Sequence, residues 1–174
     1  MPIFFDIETQ NTFQEVGGRY PERLKLSVAV TFDTADGAFH RYTEANVAEL
    51  VAALQATDLV VGYNLFGFDY PVMQQYTSVP LAQLPTVDML AEIHRQLGFR
   101  VALDSVATAT LQIGKSADGL QAVSWWREGR VEEVFQYCEQ DVDVTRRVYE
   151  FGKQYRYVQF YDKQYRLRKV PVAW

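Results

Sequence analysis

The chain has 174 residues, 48% of them hydrophobic, which suits one folded domain with a sizeable core and excludes a disordered segment. No apolar run approaches the roughly 20 residues of a membrane helix. The start, Met1-Pro2-Ile3-Phe4-Phe5-Asp6, lacks the basic region of a secretory signal, and the lone Cys138 excludes an intrachain disulfide, so a reducing, cytoplasmic setting with no membrane partner is expected. The net charge of −5 argues against a uniformly basic nucleic-acid binder. The charge is uneven, however: residues 1–90 are acidic, while 153–169 carry Lys153, Arg156, Lys163, Arg166, Arg168 and Lys169 against Asp162 alone.

Ile3 to Glu8 begins as an unbroken apolar run and predicts a strand buried on both faces. Leu24 to Phe32 predicts a second strand; Asp36-Gly37 is a hairpin-type turn that returns a third, Phe39 to Tyr42. Val47, Leu50, Val51 and Leu54 give the period of a helix that starts at Thr43 or Glu44. Asp58 to Tyr63 reads as a fourth strand, with a helix from about Asp69 whose first turn takes Pro71. Asp88 ends a further strand and caps a helix to about Leu97, with Gly98 just beyond it. Asp104 is expected to cap a helix over Ser105 to Ile113. Another helix runs from Leu120 to Glu128, and the longest from Val131 to Phe151 or beyond. Tyr157 to Tyr161 and Tyr165 to Val170 flank an Asp162-Lys163 turn, a basic C-terminal hairpin within 153–174. The order of elements predicts one α/β domain over 1–174, a mixed sheet flanked by helices.

Asp6 and Glu8 are two apart on a strand, so their side chains share a face. Following Ile3-Phe4-Phe5, they meet the cost of burying carboxylates and their mutual repulsion, and a divalent cation relieves both. Taken alone, Asp-x-Glu is also an ordinary solvated strand end. Asp69 leaves the fourth strand, where α/β sheets bind ligands, yet helix capping explains it equally. Tyr137 and Asp141 are four apart on the longest helix, one turn or about 6 Å along its axis; an amphipathic pair with a half-buried tyrosine has the same spacing.

In combination these pieces resemble the DEDD superfamily of DnaQ-like 3′–5′ exonucleases. Its first motif stands as Asp6-Ile7-Glu8-Thr9, its second as Asn64-Leu65-Phe66-Gly67-Phe68-Asp69, its third as Tyr137-Cys138-Glu139-Gln140-Asp141. Gln136 stands where a sister branch has histidine, so the chain resembles the tyrosine branch. Thr110 to Gly119 and Trp125-Trp126-Arg127-Glu128-Gly129 resemble the small YprB-like branch related to polymerase-B proofreading domains.

The resemblance implies a ribonuclease H-like fold with a mixed five-stranded sheet, and two divalent cations, Mg²⁺ or Mn²⁺. It makes Asp6 the bridging ligand, puts Glu8 and Asp141 on the nucleophile side and Asp69 on the leaving-group side, and has Tyr137 orient the attacking water. It implies a substrate of single-stranded DNA or RNA with a free 3′ end, released as 5′-monophosphates. Asn64 and the backbone around Ile7 and Thr9 are expected to meet the terminal nucleotides, and Phe66, Phe68 or Tyr63 to stack on a base, with Phe68 read more simply as core. A polymerase or helicase partner would be a separate chain. The competing readings are a non-catalytic nucleic-acid-binding module of the same fold and a ribonuclease H-like endonuclease.

Other signals carry less. Gly114-Lys115-Ser116 imitates a phosphate-binding loop, but the glycine that pattern requires is Ala109, and a helix precedes it rather than a strand. Trp125-Trp126 offers a stacking platform or, more simply, a core contact. The basic hairpin either tracks phosphates or is a charged edge that discourages aggregation.

Overall fold

In the computed structural model, residues 1–113 and 119–174 are described; Gly114-Lys115-Ser116 lies outside the described residues. Strand β1 (Pro2–Thr9) is the middle of a five-stranded sheet. On one side it pairs antiparallel with β2 (Leu26–Asp33), which pairs in turn with β3 (Ala38–Tyr42). On the other it runs parallel to β4 (Leu59–Gly62), which runs parallel to β5 (Thr86–Asp88). The order is thus β3-β2-β1-β4-β5.

The helices flanking this sheet are α1 (Val47–Ala56), the short α2 (Tyr70–Met73), α3 (Met89–Leu97), α4 (Leu103–Leu111), α5 (Gly119–Arg127) and α6 (Val131–Tyr155). Strands β6 (Tyr157–Tyr161) and β7 (Leu167–Pro171) form a separate hairpin.

The alternation of β1 sorts its residues between two cores. Ile3, Phe5 and Ile7 pack with Leu50 and Leu54 of α1 and Met73 of α2. Phe4 faces the opposite way, into the core built around α6, where its ring meets Tyr149 edge to face at 5.4 Å. Asp6 and Glu8 continue the face of Phe4. The expected strand buried on both faces is therefore what forms, and its two acids point at the longest helix.

The α6 helix presents Val134, Tyr137, Cys138, Val142, Thr145, Val148, Tyr149 and Gly152 as a buried stripe at steps of three and four. A Cβ on Gly152 would lie 2.6 Å from the Trp174 indole. That indole donates to the Tyr149 carbonyl at 3.0 Å, so the C-terminal segment is seated on α6.

Three local expectations change. Leu65–Asp69 forms one π-helical turn ahead of α2, because Asn64 is left-handed at φ 73° and starts the turn early. Asp104 does not cap α4: the helix begins at Leu103, its N-cap Ala102 has no side chain able to cap, and Asp104 sits inside the first turn. The hairpin is not a free edge; Val158, Phe160, Val170 and Val172 are buried in the α6 core, and Thr110 of α4 exchanges hydrogen bonds with the backbone of Gln159 at 2.9 and 3.2 Å.

Candidate active site

Opposite Glu8 and Thr9 the β1–β2 register slips: Glu8 pairs with Val28 and Thr9 with Leu26, which leaves Ser27 as a bulge. Helix α6 lies against this end of β1, where Cys138 meets the Asp6 carbonyl. From α6 come Tyr137 and Asp141, one turn apart. One ligand oxygen from each of Asp6, Glu8 and Asp141 lies within 4.8 Å of the other two. Glu8 is buried and the other two are half-buried.

Such crowding makes the charged forms unfavourable. Burial, and then the charge of Asp141, raise Asp6 well above the usual carboxylate range. Burial followed by the charges of Asp6, Asp141 and Asp69 does the same to Glu8. Asp141 is pushed up to about 7, chiefly by burial, with the Asp104 charge adding to it and a hydrogen bond from Tyr137 opposing it.

Asp69 joins from the other side of β1, at the end of the π-helical turn. It is 1% exposed, and its Oδ1 has no hydrogen-bond partner among the described residues. Burial and then the charge of Asp6 raise it strongly, while the backbone at Ile7 tempers both acids. A buried carboxylate oxygen without a partner costs several kcal/mol, on the order of a lost charged hydrogen bond or more.

The residues present fit a divalent cation. The donors are all hard oxygens, three converge within one coordination sphere, and the fourth has an oxygen without a hydrogen-bond partner beside them. A bound cation reverses the electrostatics that otherwise burden these acids.

Tyr137 is nearly buried, edge to face with Trp125 at 6.3 Å, and its hydroxyl lies near enough to Asp141 to temper that acid's rise. Burial first, then the charges of Asp141, Glu8 and Asp6, hold the phenol far above its ordinary value. Cys138 follows on the helix. Its thiol, fully buried, donates to Asp6 at both the backbone carbonyl (3.4 Å) and Oδ2 (3.6 Å), and burial pushes its pKa up. The expected packed thiol thus also steadies Asp6.

Asp88 has a larger role than its sequence position suggests. It caps α3 through the amides of Leu90 and Ala91, as expected, and it also accepts the amides of Asn64 (2.8 Å) and Phe66 (3.0 Å). One side chain therefore ties the β5–α3 junction to the turn that delivers Asp69. Asn64 Oδ1 in turn accepts Arg100 Nη2 at 2.6 Å.

Beside Glu8 and Thr9 opens a cleft of about 450 Å³ whose other walls include Phe13, Phe68, Leu120 and Val123. Phe13 and Phe68 meet edge to face at 5.9 Å. No local pattern marks Phe13, Leu120 or Val123, which reach the cleft from a loop after β1 and from α5. Phe68 both packs on the core and lines this cleft. Phe66 does not reach it: the ring is 44% exposed, sits against Tyr70 and lines a different hollow with Arg95 and Trp174. The Ile7 side chain is in the opposite core, leaving only its backbone at the site. Trp125 and Trp126 are both half-buried against the α6 core.

Residues 3–151 match the family model of the RNase H superfamily. No curated protein matches the chain in sequence. Among solved structures it is similar to the family B DNA polymerase from the hyperthermophilic archaeon Pyrobaculum calidifontis, with a TM-score of 0.66 and 19% sequence identity over 87% of this chain. The match spans 24% of the polymerase chain, about a quarter of its length. Among the described residues no helix is long and apolar enough to cross a membrane.

Proposed function

The chain belongs to the RNase H superfamily, and on that premise we propose that it is a metal-dependent 3′–5′ exonuclease of the DEDD class, tyrosine branch, acting on single-stranded DNA or RNA. The observation that carries this reading is the meeting of Asp6, Glu8 and Asp141 within 4.8 Å, with the partnerless Asp69 oxygen alongside and Tyr137 one helical turn before the last acid.

Asp6, Glu8 and Asp141 would hold one divalent cation, and Asp6 with Asp69 a second. Mg²⁺ or Mn²⁺ bound there supplies Lewis-acid activation of water and neutralises charge on the scissile phosphate. The remaining work belongs to side chains. Tyr137 stays protonated at neutral pH, so it serves as a hydrogen-bond donor that fixes Asp141 and the nucleophile's position, and not as a base. Cys138 and the backbone at Ile7 fix Asp6. The cleft walled by Phe13, Phe68, Leu120 and Val123 takes the terminal nucleoside, with Thr9 at its inner end. Apolar walls grip any base through its face, which fits an enzyme that does not read sequence. Asn64 meets the strand near its end.

Circular and linear single strands of the same sequence test this reading against the two alternatives. An exonuclease degrades the linear strand and spares the circle in Mg²⁺ or Mn²⁺. An endonuclease opens the circle, and a non-catalytic module binds both strands and cuts neither.

A further inference from the structure

A second cleft, about 650 Å³, opens between the segment joining α3 to α4 and the tip of the β6–β7 hairpin; Phe99, Arg100, Tyr161 and Lys163 line it. It continues into a hollow of about 740 Å³ bounded by Asp104, Ser105, Tyr161, Lys163 and Tyr165. We propose that this cleft carries the stretch of single-stranded nucleic acid lying 5′ of the nucleotides in the active site, its bases stacked on Tyr161, Tyr165 and Phe99 and its phosphates met by Arg100 and Lys163. This rests on the exonuclease reading above and extends it to the body of the strand.

The aromatic residues are the first argument. Tyr165 is 88% exposed, Phe99 51% and Tyr161 46%. Phe99 leans edge to face on Phe160 at 5.9 Å, while Tyr161 and Tyr165 have no ring contact with another described residue. Tyr165 is also left-handed, at φ 55°, a conformation that costs a bulky residue and suits glycine or asparagine. The fold nevertheless builds the turn around it. Asp162 accepts the amides of Gln164 and Arg166 and the Nε of Arg166 and Arg168, all at 2.9–3.0 Å. Strain held in a well-braced turn, presenting a ring that packing does not use, points to a ligand. Base–aromatic stacking is the interaction such a ring supplies to any sequence.

Charge and continuity are the second argument. Lys163 forms no ion pair with a described residue. Of the two acids at the cleft, Asp162 is neutralised by Arg166 and Arg168 at 3.0 and 2.9 Å. Asp104 is the other; it lines the hollow, and its charge reaches Asp141. Arg100 makes the physical link: it lines the cleft and donates to Asn64 on the turn that delivers Asp69. A strand with its 3′ end at the carboxylates would leave past Asn64 and Arg100 into this cleft. A basic groove with interleaved aromatic rings is the general form of a sequence-tolerant single-strand track.

The test is fluorescence anisotropy in Ca²⁺ with 5′-labelled tetranucleotide and dodecanucleotide, on the wild-type chain and the double variant Tyr165→Ala with Lys163→Glu. The wild type should bind the longer strand more tightly and with a steeper salt dependence. The double variant should lose about tenfold or more on the dodecanucleotide, roughly five times its loss on the tetranucleotide, and the single variant Tyr165→Phe, with Lys163 intact, should keep wild-type affinity. Equal losses on both strands, or none on the longer one, would overturn the inference. A wild type that shortens both strands in Mn²⁺ yet shows no length-dependent affinity also sinks it while leaving the nuclease reading intact. A wild type that neither binds nor shortens either strand removes the nuclease reading itself.

Discussion

The Oδ1 of Asp88 accepts the amide hydrogen of Asn64 at 2.8 Å, and through that bond the start of α3 holds the turn that ends at Asp69. Because the same carboxylate also receives Phe66, Leu90 and Ala91, removing it strands four backbone donors at once. Asp88→Ala is expected to lower unfolding free energy by about 1–3 kcal/mol, more than a simple cap loss, and to lower kcat as Asp69 drifts. Urea unfolding and turnover on a single-stranded oligonucleotide check the two effects separately. Loss of stability without loss of kcat would reduce Asp88 to a cap.

The carboxylate cluster makes the metal-free chain sensitive to pH in a definite direction. Asp6, Glu8, Asp69 and Asp141 are raised in the folded state, so the folded chain keeps protons that the unfolded chain has released. Their stabilising contribution is complete below the ordinary carboxylate range and is lost as pH rises, for Asp141 from 3.8 to about 7. Thermal melts in chelator should therefore fall across that window. Added Mn²⁺ should restore the melting temperature near neutral pH. A melting temperature that rises between these pH values in chelator would contradict the assignment.

Glu8→Gln follows from the same electrostatics. It removes one charge from the crowded set, so the metal-free variant should melt higher than wild type above neutral pH, while metal-dependent stabilisation and cleavage collapse. A parallel loss of metal-free stability would mean that Glu8 is a structural acid.

Tyr137→Phe should leave the fold intact, since the ring keeps its contact with Trp125, and lower kcat on the order of 100-fold through lost positioning. The expected split is in kcat and not KM, measured by steady-state kinetics with a labelled strand. Because the phenol is not the base, the variant's pH profile should keep the wild-type shape.

Gly67→Ala probes Asn64 without touching a carboxylate. A Cβ at Gly67 would overlap Asn64 Oδ1, the atom that holds Arg100. The amide must turn away, so kcat/KM should fall about tenfold while stability changes by less than about 1 kcal/mol. Unchanged kcat/KM would remove Asn64 and Arg100 from the strand's path.

Much of this was legible in the sequence, for identifiable reasons. Period two places Asp6 and Glu8 on one face, and period 3.6 places Tyr137 over Asp141; both are local rules that tertiary contacts did not override. The meeting of β1 with α6 is not local, and only the joint order of the three motifs anticipated it. The sequence marks Asp69 as a candidate but does not show its π-helical turn, because one left-handed residue, Asn64, shifts the helix start without a glycine to announce it. Asp104 reads as a cap because an acid near a helix start looks like one whether it stands before the first turn or, as here, within it. The second role of Asp88 and the cleft walls at Phe13, Leu120 and Val123 depend on contacts between distant segments, which leave no periodic trace. The hairpin's basic character is visible in the sequence; that one face is buried and that its turn carries the exposed Tyr165 is not.

The proposed activity, in which Asp6, Glu8, Asp69, Asp141 and Tyr137 trim single strands from the 3′ end, can be read out directly. The most direct measurement is a time course on 5′-labelled single-stranded DNA and RNA in Mg²⁺ and in Mn²⁺, with wild type beside Asp141→Ala. Wild type should give a ladder that shortens from the 3′ end, and the variant an intact band. Cleavage that Asp141→Ala leaves unchanged, or no cleavage of either strand with either metal, would contradict it.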